Sequence, residues 1–110
     1  MSTEPYSPAD LTAAADLLRA LGSPIRLMIV DELRHGQRCV HDLVSASGRT
    51  GRQASQSLIS QHLRVLRGSG LVSTERRGQE IAYGLVDAHV AHIVADALGH
   101  VAEPESLAKA

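Results

Sequence analysis

The chain has 110 residues and a formal net charge of −1, with eleven Lys and Arg against twelve Asp and Glu. That length holds one domain whose core is small enough to gain from pairing with a second copy, and the balanced charge gives no global sign of a polyanion partner. There is no run of about 20 apolar residues and no basic start followed by an apolar stretch, so neither a membrane span nor a secretory signal is expected and the protein reads as cytoplasmic, with no membrane partner.

Residues 1–8, which include Pro5, read as a loose arm, residues 9–103 as the folded domain and residues 104–110 as a loose tail. From Pro8 or Ala9, apolar positions Leu11, Ala14, Leu18 and Leu21 follow helical spacing up to a stop at Gly22. Ser23 caps and Pro24 opens a second helix, with Ile25, Met28, Ile29 and Leu33 inward and His35-Gly36 closing it. Gln37 to Val40 has room for no more than a bridge-length strand, and Cys39 sits where it meets a short helix, His41 to Ala46, that ends at Ser47-Gly48. A lone cysteine excludes an intrachain disulfide and any all-thiolate site within one chain.

Arg49 to Ala54 reads as a basic flexible turn, and Ser55 caps a helix that runs to about Arg67. In that helix Ile59, Leu63 and Leu66 face the core. Ser57, Ser60, Gln61 and Arg64 share the opposite face at offsets of three, four and seven, with Gln56 at its start. Gly70 stops it, and Leu71 to Arg76 and Glu80 to Leu85 alternate as two strands around Arg77-Gly78-Gln79. Six arginines stand between positions 49 and 77 (Arg49, Arg52, Arg64, Arg67, Arg76, Arg77) against the single acid Glu75, an electrostatic footprint suited to phosphate. A solvated basic face has the same composition. The helix face decides for DNA: short polar side chains plus Arg suit base edges and phosphates, making Gln56, Ser57, Ser60, Gln61, Arg64 and the hairpin's Arg76 and Arg77 the candidate contacts. With no Phe or Trp and only Tyr6 and Tyr83, stacking platforms for single strands are poorly supplied, so duplex DNA is the expected target. His62, beside this face, is a phosphate contact or simply exposed.

Asp87 to Glu103 reads as one long helix with two faces. Val90, Ile93, Val94, Ala97 and Val101 fall on one side, and His89, His92, Asp96, His100 and Glu103 line another. Imidazole and carboxylate are the ligands a tetrahedral zinc without thiolates would use. A solvated, histidine-rich face would look the same by composition. His89 and His100 lie about 16 Å apart along such a helix, so one ion cannot take both from one chain. Antiparallel packing against a second copy would bring Asp87 and His89 of one chain to His100 and Glu103 of the other, giving two equivalent sites across a twofold axis. Three helices, a hairpin and a terminal helix make a mainly α, winged helix-turn-helix architecture, dimerising through the terminal helices.

Several stretches resemble the ArsR/SmtB family of metal-responsive transcriptional repressors. They are Leu21-Gly-Ser-Pro-Ile-Arg-Leu, Cys39-Val-His-Asp-Leu, Leu58-Ile-Ser-Gln-His-Leu-Arg-Val-Leu, the hairpin Arg77-Gly-Gln-Glu-Ile-Ala-Tyr-Gly-Leu, and the spacing Asp87-x-His89-x10-His100-x2-Glu103. That last spacing is similar to the family's inter-subunit zinc site, which implies Asp87, His89, His100 and Glu103 as ligands. The resemblance also implies that a metal-free homodimer binds an imperfect inverted repeat in operator DNA and that zinc releases it. Cobalt or nickel would suit the site if His92 enlarged the coordination number.

The chain departs from the family pattern in three places. Arg49 to Gln53 lengthens the turn between the DNA-binding helices, leaving the recognition helix loosely held. Gly99 weakens the terminal helix by about 1 kcal/mol relative to Ala, and Glu103 precedes Pro104, which biases it away from helical geometry. Some members carry a second site with a Cys-x-x-Asp pair completed from the N-terminal arm; Cys39 and Asp42 keep the pair, the arm offers no ligand, and His41 is the nearest candidate to join them. Cys39 otherwise reads as a small core residue, or as the sensor of a regulator that responds to oxidation. An enzyme is not expected, because four protein ligands close a zinc site that a hydrolase would need open.

Overall fold

The computed structural model describes residues 5–103; the expected tail and the first four residues of the expected arm lie outside them. In chain order the described elements are α1 (Pro8–Leu21), α2 (Pro24–Leu33), α3 (Val40–Arg49), α4 (Gln56–Gly68), β1 (Val72–Arg77), β2 (Glu80–Leu85) and α5 (Ala88–Ala102), a winged helix-turn-helix. Each boundary has a local cause. Ser7 accepts from the Asp10 amide while the Asp10 carboxylate accepts from the Ser7 amide, a reciprocal cap that starts α1. Ser23 and Ser55 cap α2 and α4 in the same sense, by accepting the amides of Arg26 and Leu58.

The core forms where α2, α4 and α5 converge on the base of the hairpin. Ile29, Val30 and Leu33 of α2, Leu43 of α3, Ile59, Leu63 and Leu66 of α4, Leu71 and Val72, and Val90 and Val94 of α5 are all buried. The inward positions expected for α4 are therefore as observed. In α1 they are not: Leu21 is buried, but Leu11 is 63% and Leu18 57% exposed. The reason is topological, since α1 reaches the core only through its C-terminal end, where Leu17, Ala20 and Leu21 pack. Its upper apolar stripe meets nothing within the described residues of the chain. A similar split divides α5, where Val90 and Val94 point inward while Ile93 and Val101 stay exposed.

Two boundaries differ from the sequence expectation. The third helix does not stop at Ser47-Gly48 but continues to Arg49, because Ser47 is fully buried and its hydroxyl donates back to the Val44 carbonyl, which satisfies it inside the helix. The chain then leaves through Gly51, at φ 82°. In the hairpin, Arg77 is paired with Glu80, so the turn is the two residues Gly78-Gln79, with Gly78 at φ 64°. The bridge-length strand is present as expected: Arg38 exchanges backbone hydrogen bonds with Tyr83 at 3.0 and 2.7 Å. That bridge fixes the start of α3 against the wing.

Candidate nucleic-acid interface and metal-ligand residues

On α4, Gln56, Ser57, Ser60, Gln61 and Arg64 line one open depression of about 580 Å³. The core residues Ile59, Leu63 and Leu66 occupy the other side of the helix and so turn these five outward. Arg76 and Arg77 are exposed at the far end of β1, but as neighbours in a strand they point to opposite faces. Arg77 borders a cavity of about 110 Å³ together with Cys39, Asp42 and Glu80.

Instead of hanging loosely, the turn that carries α4 is held by hydrogen bonds. The Ser47 hydroxyl accepts the buried amide of Ala54 at 2.9 Å, and the Ser47 carbonyl accepts from the Thr50 hydroxyl and the Arg52 amide. Ala54 itself is buried in the core. Arg49 reaches back to Glu32 on α2 at 3.1 Å. The extra residues thus form a structured connection anchored on one buried serine. The sequence marks Ser47 only as a helix stop, since nothing in its spacing announces a hydroxyl serving both sides of a turn.

His62 is neither free nor aimed at solvent alone. Its Nδ1 lies 3.1 Å from a guanidinium nitrogen of Arg26, whose Nε donates to the Ala20 carbonyl. A guanidinium can only donate, so Nδ1 must be the acceptor and the ring is neutral in this pairing. Burial, and secondarily the charge of Arg26, push the His62 pKa below its ordinary value. The recognition helix is thereby tied to α2 through a proton-sensitive contact.

The α5 residues occupy two separate ends of the helix. Asp87 is the N-cap: one carboxylate oxygen accepts the amides of His89 and Val90, at 2.9 and 3.3 Å. That same oxygen lies 3.7 Å from His89 Nδ1, and the His89 side chain is 90% exposed. His100 is in the last turn, and Glu103, at φ −79° and ψ 113°, has left the helix, as a residue preceding proline is biased to do. Ligand atoms on a tetrahedral zinc stand about 3.3–3.8 Å apart, so the Asp87/His89 pair has the spacing of half a site. His92 and Asp96 are exposed between the two ends. Within one chain the two halves do not meet, as the helix length requires.

A second cluster does converge within one chain. Cys39, His41 and Glu80 each offer a ligand atom within 4.8 Å of the others. Cys39 Sγ is 3.3 Å from the His41 ring nitrogens, and His41 Nδ1 is 3.7 Å from a Glu80 oxygen. Asp42 stands beside them, accepting the Cys39 amide at 3.2 Å and the thiol at 2.9 Å on a single oxygen. Burial and these hydrogen bonds push the Cys39 thiol up, while the same bonds hold the Asp42 carboxyl down. Sequence reading brought Cys39, His41 and Asp42 together but not Glu80. Its approach depends on a hairpin register that the 38-to-83 bridge sets.

Residues 23–74 match the family described as bacterial regulatory protein, arsR family. The chain is 50% identical over 93 residues to the HTH-type transcriptional repressor SmtB of Mycobacterium tuberculosis, covering 84% of this chain and 65% of that protein's length. It is 44% identical over 99 residues to the HTH-type transcriptional regulator NmtR of the same organism, covering 87% of this chain and 78% of NmtR. Among solved structures, a homodimeric winged helix-turn-helix DNA-binding domain from Mycobacterium bovis superposes with a TM-score of 0.71 at 28% identity, over 89% of this chain and 87% of that one. By sequence and by fold, the chain belongs to the arsR family of bacterial regulatory proteins.

Proposed function

We propose that the protein is a metal-responsive transcriptional repressor that binds duplex operator DNA as a homodimer when metal-free and is released by zinc held between its two α5 helices. The observation that carries this reading is the arrangement of α5. Its two ends present Asp87 with His89 and His100 with Glu103, and between them Ile93 and Val101 lie exposed with no apolar partner in the chain's core. Antiparallel pairing of two such helices covers the apolar residues and completes two four-ligand sites in one step. Such a site takes two imidazoles and two carboxylates, a set that zinc accepts and that nickel or cobalt would accept with His92 added.

The DNA-facing half rests on α4 and the wing. Gln56, Ser57, Ser60 and Gln61 can reach base edges in the major groove, while Arg64 and the wing arginines meet phosphates. Two copies related by a twofold axis read an imperfect inverted repeat. Fixing the two α5 helices against each other fixes the separation of the two recognition helices, so ligand residues at the dimer axis can change the fit to DNA without touching it. Such a regulator acts in the cytoplasm, and no helix among the described residues is long and apolar enough to cross a membrane.

Sensing by oxidation of Cys39 is the alternative within DNA binding. The thiol is pushed up from its ordinary value by burial and by Asp42, which keeps it protonated and lowers its reactivity. The two readings separate in one experiment, a titration of operator binding by purified metal-free protein with zinc, cobalt and nickel. Release at about one equivalent per chain is expected; binding that ignores all three metals but responds to oxidant would establish the Cys39 reading instead.

A further inference from the structure

A metal ion on α5 uses no sulfur and touches no part of the wing, yet the chain's one thiol stands in a cluster of ligand types that reaches the wing directly. We propose that Cys39, His41 and Glu80 form a second cation site, contained within one chain, that ties the start of α3 to strand β2. The site differs from a Cys-x-x-Asp pair completed by the N-terminal arm: its third ligand comes from the wing of the same chain.

The backbone makes the site. The Arg38–Tyr83 bridge holds the residue before Cys39 against β2, and continuing that antiparallel register brings position 41 opposite position 80. The donor atoms need little movement: the sulfur-to-ring distances of 3.3 Å and the ring-to-carboxylate distance of 3.7 Å are those of neighbouring ligands on a tetrahedral ion. Asp42 is not the third ligand, because one of its oxygens is engaged by the Cys39 amide and thiol. Its second oxygen lies 3.7 Å from the His41 ring, where it can orient the imidazole.

One thiolate, one imidazole and one carboxylate, with water in the fourth position, suit a borderline divalent ion such as zinc or cobalt, and poorly suit calcium or magnesium. Coordination displaces the Cys39 thiol proton to solvent, so one proton leaves for each ion bound at the sulfur. His41 and Glu80 are 69% and 61% exposed, which leaves the site open to entry and leaves two side chains to be ordered by the ion. Arg77, paired with Glu80 across the hairpin, is the wing residue the ion would hold in place. That effect on DNA rests on the function proposed above; the site itself does not.

Cobalt(II) chloride tests the site, because a thiolate-to-cobalt charge-transfer band in the near ultraviolet cannot come from α5, which carries no sulfur. The His100→Ala chain, in which the shared α5 sites are broken, should still bind about one cobalt per chain and show the band. Cys39→Ser should lose it; serine is a good helix N-cap, so α3 keeps its start. Glu80→Gln, at an exposed position, should keep the thermal unfolding of the parent and bind cobalt at the sulfur at least about tenfold more weakly. Absence of the band at saturating cobalt overturns the proposal, and so does a band whose cobalt dependence Glu80→Gln leaves unchanged. Failure of the α5 reading would appear separately, as a cobalt stoichiometry that His100→Ala does not lower.

Discussion

Arg64 stands exposed on α4 beside Gln61 and Ser60, with no core role to confuse its removal. Arg64→Ala should weaken operator binding about tenfold and lower the salt slope by about 0.9, the value of one lost phosphate contact. Unchanged affinity and slope across low and moderate salt would mean that α4 does not present this face to DNA. His62 gives a second test at the same scale. Its native pKa lies below the ordinary value, so in the interval between the native value and about 6.5 the unfolded chain binds more protons than the folded one. Stability is therefore full above about pH 6.5 and is lost as pH falls through that interval. His62→Gln keeps an acceptor for Arg26 and removes the titration. Thermal unfolding of the parent should drop more steeply than that of His62→Gln between about pH 7.5 and 5.5, and parallel curves would remove the Arg26–His62 contact from the account.

Ser47 is the element-scale counterpart, because one buried hydroxyl joins the end of α3 to the start of the recognition helix. Ser47→Ala leaves the Ala54 amide buried without its acceptor, which should cost about 1–3 kcal/mol in equilibrium unfolding. A change below about 0.3 kcal/mol would show that the connection is held by Arg49, Thr50 and Arg52 alone. This connection also shows where sequence reading stops. The α4 face was legible because helical period sorts Ile59, Leu63 and Leu66 from Gln61 and Arg64 without any knowledge of neighbours. The wing was legible to within one residue, the difference being whether Arg77 belongs to the turn or to a pair with Glu80. A polar, glycine-containing segment such as Arg49–Gln53 has no period, and its order comes from hydrogen bonds to a serine whose burial only the tertiary fold decides. Glu80 was missed for the same reason: it meets Cys39 and His41 through strand register, which is nonlocal. Leu11 and Leu18 were assigned inward because periodicity reports that a stripe needs a partner, not which chain supplies it.

For the whole molecule, the unpartnered apolar positions on α1 and α5 and the divided ligand stripe on α5 lead to one arrangement, two chains packed through their terminal helices. Ile93→Glu places a carboxylate in that contact and should shift the chain toward monomer in sedimentation while leaving the intrachain core, from Val90 and Val94, intact. A variant as dimeric as the parent would move the interface elsewhere. The sharing of ligands between chains can be read directly by mixing two defective chains. As homodimers, His89→Ala and His100→Ala should each lose high-affinity zinc binding, since every α5 site then lacks one imidazole. A verified heterodimer of the two has one site missing both imidazoles and one site complete, with Asp87 and His89 from one chain and His100 and Glu103 from the other. With Cys39→Ser in both chains to silence any thiolate site, the account predicts that about one tight zinc per heterodimer returns and that zinc again weakens operator binding. No recovery of zinc binding in that heterodimer would contradict the antiparallel α5 arrangement and the sensing mechanism built on it.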